Sequence, residues 1–163
     1  MEEKKLYYQQ VVTIWEGFCT LHSQLFDIAC DEYLALLASD IDKLEDLLPV
    51  KEEIISKIGE LDSERNELIE KLNNTQFVSS PLNKASELLL LFDEIEAQNG
   101  IPALKNLNQL LIDIIEKIQL QNKKNQVFLN KAMISLRDLK RGFKGQKVYS
   151  TYGADGLTKT LNR

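Results

Sequence analysis

The chain has 163 residues, 44% of them hydrophobic, with seven glycines, three prolines and a net charge of −5. This is enough apolar material for one buried core in a single domain, and too much for a chain disordered throughout. The longest purely apolar run, residues 88–92, is far too short to span a bilayer, and residues 1–5 lead directly into a mixed segment, so neither a membrane span nor a signal peptide is expected. Charge is unevenly spread. Residues 1–122 carry 10 Lys and Arg against 23 Asp and Glu, whereas residues 123–163 carry 10 against 2. A basic end of this kind suits nucleic acid, an anionic lipid surface or an acidic protein surface, including the chain's own body, and composition does not choose among them.

In chain order, Tyr7, Val11, Ile14, Phe18, Leu21, Leu25 and Ile28 recur every three or four residues, which predicts one seam down a first helix over about 3–38. The phase then slips, and Leu34, Leu37, Ile41, Leu44 and Leu48 carry a second stretch. Ser39 and Asp40 form a candidate N-cap pair, so a tight hairpin near 38–40 is predicted. A second helix over 41–72 follows on Leu47, Lys51, Ile54, Ile58, Leu61, Arg65, Leu68 and Leu72, with Pro49 as either a kink or the helix start. Ser80 and Pro81 predict the start of a short helix, 82–98, and Asn99-Gly100 followed by Pro102 marks its end. The last helix, 103–141, carries Leu104, Leu107, Leu111, Ile114, Ile118, Asn122, Asn125, Leu129, Ala132, Leu136, Leu139 and Phe143 on one seam. Four glycines in the next fifteen residues predict its end and a flexible basic tail over 142–163.

These segments predict an all-α fold, an elongated antiparallel bundle of about four helices arranged as two long hairpins, in one domain over 1–141. No strand pattern competes with it.

Catalytic chemistry is not announced. His22 is the only histidine, which removes any His-based triad or two-histidine metal site within one chain, and a half-buried structural role fits its place beside Leu21 and Leu25. No Gly-rich phosphate loop precedes a helix. The carboxylates Asp40, Asp42, Glu45 and Asp46, like Glu60, Asp62, Glu64 and Glu67, read as solvated helix faces. Trp15 reads as packing. Cys19 and Cys30 fall in one helix with backbones about 16 Å apart, too far for a disulfide, and read as reduced thiols. No enzyme activity, cofactor or small-molecule substrate is expected.

Two features exceed what a plain bundle needs. Val127, Phe128, Leu129, Ala132, Met133, Ile134, Leu136, Leu139 and Phe143 cover more than one seam's width, just beyond the polar pair Asn122 and Asn125. That pair either sets helix register or separates a packed body from an adhesive surface for another polypeptide. The second feature is Val148-Tyr149-Ser150-Thr151-Tyr152-Gly153-Ala154-Asp155-Gly156 in the basic end. It reads as a solvated tail, as an aromatic and basic surface for nucleic acid, or as a peptide motif presented to a protein. Counterion release separates the nucleic-acid reading from the others, because it makes log affinity fall linearly with log salt.

Three parts of the chain together resemble the FlgN-type flagellar export chaperones. They are the hairpin with Asp40, Leu44 and Leu47 followed by Lys51, Ile54, Ile55, Ile58, Leu61, Arg65 and Leu68; the pair Asn122-x-x-Asn125; and the ending Tyr152-Gly153-Ala154-Asp155-Gly156. Pro49 departs from the pattern. The resemblance implies a cytoplasmic chaperone of flagellar type III secretion that binds the C-terminal segments of the hook–filament junction proteins FlgK and FlgL, keeps them unpolymerised and delivers them to the export gate. It implies client binding by Val127, Leu129, Ala132, Met133, Leu136, Leu139 and Phe143. Docking on the gate component FlhA would fall to Tyr152, Gly153, Asp155 and Gly156. The alternative, from the residues alone, is a helical adaptor or a nucleic-acid or anionic-surface binder acting through the basic end.

Overall fold

A computed structural model describes residues 2–146, 149–152 and 158–161. Four helices account for most of them: α1 (Glu2–Ala38), α2 (Ile41–Asn73), α3 (Ala85–Asn99) and α4 (Ala103–Gln146). Two four-residue strands, β1 (Tyr149–Tyr152) and β2 (Thr158–Leu161), pair antiparallel within the segment read from sequence as tail, with Tyr149 opposite Leu161 and Tyr152 opposite Thr158. The fold is all-α apart from this pair. The chain divides into two compact units, Met1–Lys123 and Lys124–Arg163, with the boundary inside α4.

In the first unit α1 and α2 form an antiparallel hairpin whose turn is built by the two residues singled out in the sequence. Ser39 takes φ of +54°, a left-handed backbone that reverses the chain after α1. Asp40 then caps α2, its carboxylate accepting the Lys43 N–H at 2.9 Å. A cap of this kind contributes about 1 kcal/mol by satisfying a first-turn donor that would otherwise have no partner. Near the same end Lys51 reaches across from α2 to the Glu32 carboxylate on α1 at 2.9 Å. Pro49 lies inside α2, which starts at Ile41 and runs through it. Pro49 is exposed, and its missing N–H removes one hydrogen bond from the α2 ladder.

The seams 7/11/14/18 and 47/54/68/72 face inward as expected. Tyr8, Val11, Ile14, Trp15 and Phe18 of α1 pack with Leu68 and Leu72 of α2, Leu88, Phe92 and Ile95 of α3, and Leu104 of α4 in one cluster. A second cluster joins Cys19 to Ile114 and Ile118, with Leu25 and Phe26 against them. Each fully buried Leu or Phe stabilises the unit by roughly 1.5–3 kcal/mol relative to exposure. The expected stretch Leu34, Leu37, Ile41, Leu44 and Leu48 is corrected. Leu34, Leu37, Ile41 and Leu48 are exposed, and the inward positions near the turn are Ala35 and Leu47.

α3 begins at Ala85, later than the expected 82, because Leu82 is buried in the core with its N–H held by the Asn73 side chain at 2.8 Å. The start is marked instead by Glu87, whose carboxylate accepts the N–H groups of Asn83 at 2.6 Å and Lys84 at 2.9 Å. Those backbone donors hold the Glu87 carboxyl below its usual range. Gly100 ends α3 with φ of +70°, the left-handed conformation that favours glycine.

A buried polar contact missed by sequence reasoning ties α1, α3 and α4 together. Glu96 is buried, accepting the Tyr8 hydroxyl at 3.0 Å and the first-turn N–H of Leu104 at 2.5 Å. Burial, with Glu96 beside it, pushes the Tyr8 phenol up to about 12. The protonated phenol's contribution to stability is therefore full below pH 10 and is lost as pH rises toward about 12.

Candidate protein-binding surface

α4 is one continuous helix whose surroundings change along its length. In the first unit its apolar row is covered: Leu104, Ile114 and Ile118 are all buried. In the second unit the same row emerges. Leu129, Ala132, Leu136, Leu139 and Phe143 follow at steps of three and four, and all are exposed; the large residues among them are between 39% and 65% accessible. Met133 flanks the row and is equally open. At 100° per residue these six side chains share a face about 120° wide. Val127, expected to share the surface, is exposed but sits about 160° around the helix from Leu129, on the side carrying Ile134.

The change occurs at the polar pair. The boundary between units falls between Asn122 and Asn125, and Asn125 is only 6% accessible whereas Asn122 is exposed. Beyond it α4 continues to Gln146 and passes through Gly142, which the sequence was expected to use as a stop. A helical glycine costs about 1 kcal/mol relative to Ala, which the helix tolerates. The extension keeps Phe143 helical, so the apolar row spans the fifteen residues 129–143, about 21 Å. Lys131, Arg137, Arg141 and Lys144 on this stretch make its polar side basic, and Lys140 lies within the apolar face, about 20° around the helix from Leu129. An apolar strip with a basic surround has the composition of a surface complementary to an amphipathic helix.

Of the gate-docking residues, Tyr152 ends β1, and Gly153, Asp155 and Gly156 lie outside the described residues. The residues weighed for catalysis have structural roles. His22 Nδ1 meets the Phe18 carbonyl at 2.7 Å, and the Cys19 thiol contacts the Leu107 carbonyl at 3.4 Å, with burial, aided by Glu16, pushing its pKa up. Trp15 Nε1 donates to Asn108 Oδ1 at 3.2 Å. Among the described residues no group of three His, Cys, Asp or Glu is placed to hold a metal, and no helix is long and apolar enough to cross a membrane.

Comparison with known families finds a match to the one described as FlgN protein, over residues 1–160. No curated protein and no solved structure matches the chain.

Proposed function

We propose that this chain, which belongs to the FlgN family and is a flagellar export chaperone, binds the C-terminal segments of the hook–filament junction proteins FlgK and FlgL on the open face of α4. In the cytoplasm it keeps those segments from polymerising and delivers them to the export gate, where its Tyr152 motif docks on FlhA. The observation that supports the reading is the row Leu129, Leu136, Leu139 and Phe143, exposed apolar side chains on one face of α4. A polymerising protein's C-terminal segment is amphipathic and helical when assembled, so a complementary apolar strip both binds it and hides the surface by which it would assemble. Exposed Leu, Met and Phe on one face also suit a chaperone with more than one client, because the flexible methionine repacks against different side chains.

Binding and delivery separate experimentally. In a secretion assay, cells carrying Tyr152→Ala are expected to retain FlgK and FlgL, while titration calorimetry finds the affinity for their C-terminal segments unchanged. Normal export from that variant would remove the docking role. An affinity that drops along with export would put the tyrosine in the client site instead.

A further inference from the structure

The sequence of α2 carries a second exposed seam, distinct from the client face. Ile41, Glu45, Leu48, Glu52, Ile55 and Gly59 follow at alternating steps of four and three, the spacing of coiled-coil contact positions, and every one of them is exposed. The inward side of α2 is a different row, with Leu47 and Ile54 buried, so this seam is left over after the unit has packed. Its composition alternates. One set of contact positions is apolar, Ile41, Leu48 and Ile55, between 50% and 62% accessible. The other is Glu45, Glu52 and Gly59. A side chain at Gly59 would meet no atom of the chain, so packing gives no reason for a glycine in mid-helix, where it costs about 1 kcal/mol relative to Ala. Close approach of another backbone gives one.

We propose that this seam is the docking site for a helix of a separate protein, one that presents apolar residues opposite Ile41, Leu48 and Ile55 and Lys or Arg opposite Glu45 and Glu52. Charge selects this occupant. Residues 31–53 hold eight Asp and Glu against two Lys, and one of those, Lys51, is already engaged by Glu32. Among the described residues no ion pair includes Glu45 or Glu52. A second copy meeting this seam with its own α2 would set its glutamates against these, and like charges in a desolvated contact select against that pairing. A basic contact position converts the same glutamates into partner-specific attraction. The seam covers the nineteen residues 41–59, about 27 Å, so the partner helix needs about five turns.

The test uses the full chain and two labelled 21-residue peptides followed by fluorescence anisotropy. Both carry Leu at one set of coiled-coil contact positions; the other set is Lys in one peptide and Glu in the other. The Lys peptide is expected to bind and the Glu peptide is not. Glu45→Lys with Glu52→Lys should weaken the Lys peptide at least about tenfold and bring the Glu peptide into binding, whereas Leu136→Asp with Leu139→Asp should leave the Lys peptide unaffected. The last result also separates this site from the client face. Binding that ignores the charge reversal overturns the proposal, as does binding lost in the Leu136 and Leu139 variant. So does cross-linking that maps the chain's own Lys144 or Lys159, or a second copy's α2, onto Leu48 in the free protein.

Discussion

Leu136→Asp with Leu139→Asp is expected to abolish binding of the FlgK and FlgL C-terminal segments while leaving the helical signal and thermal melting of the first unit unchanged. Both leucines are well exposed, at 65% and 59%, so the folded chain loses little packing when they go. A helix-interior Asp in place of Leu costs only about 0.5 kcal/mol of propensity. In the complex the balance is different. Burying each leucine contributes roughly 1.5–3 kcal/mol, and a carboxylate in its place must either stay hydrated or be desolvated without a partner. Two such changes remove about 3–6 kcal/mol, at least about a hundredfold in affinity. Titration calorimetry and circular dichroism on the same preparation decide it. Unchanged affinity takes the client face off α4.

The opposite pattern is expected at Phe92. Its side chain is fully buried, edge-on to the Tyr8 ring at 5.6 Å between centroids, in the cluster that joins all four helices of the first unit. Phe92→Ala leaves a cavity whose neighbours relax only in part, and costs about 3–5 kcal/mol. That is a large share of the 5–15 kcal/mol that holds a typical domain together. It also loosens Tyr8, whose hydroxyl donates to Glu96 and so helps hold the residue that accepts the first-turn N–H of α4. Melting should fall by ten degrees or more in the variant, on the order expected for a unit of this size. An unchanged melting temperature would show that this cluster does not hold the helices together.

These two sites illustrate what sequence reading reaches and where it stops. Periodicity located the inward rows of α1 and α2 and the emergent row of α4, because a 3.6-residue repeat fixes which side chains share a face. It also found the turn at Ser39 and Asp40 and the left-handed end at Gly100, where local chemistry decides the backbone. It misplaced Leu34, Leu37, Ile41 and Leu48, since an apolar side chain at helical spacing looks the same whether or not a neighbouring helix covers it. The start of α3 was missed because a tertiary bond, from the Leu82 N–H to Asn73, holds Leu82 outside the helix. Glu96 was invisible for the same reason: its partners, Tyr8 and Leu104, come from other helices. Glycines after residue 141 were weighted too heavily as a stop, and α4 runs to Gln146. For the candidate surface, composition identified an excess of apolar residues, but the helical period separates Val127 from the face of Leu129 and Leu136. The family resemblance, resting on the hairpin, the asparagine pair and the ending, agrees with the match over residues 1–160.

Amide hydrogen exchange of the full chain, alone and saturated with the C-terminal segment of FlgK, measures the central assignment most directly. Protection should rise across residues 125–143 of α4 and stay unaltered over residues 1–100. Protection that appears only in the first unit, with 125–143 exchanging as fast as in the free chain, would contradict it.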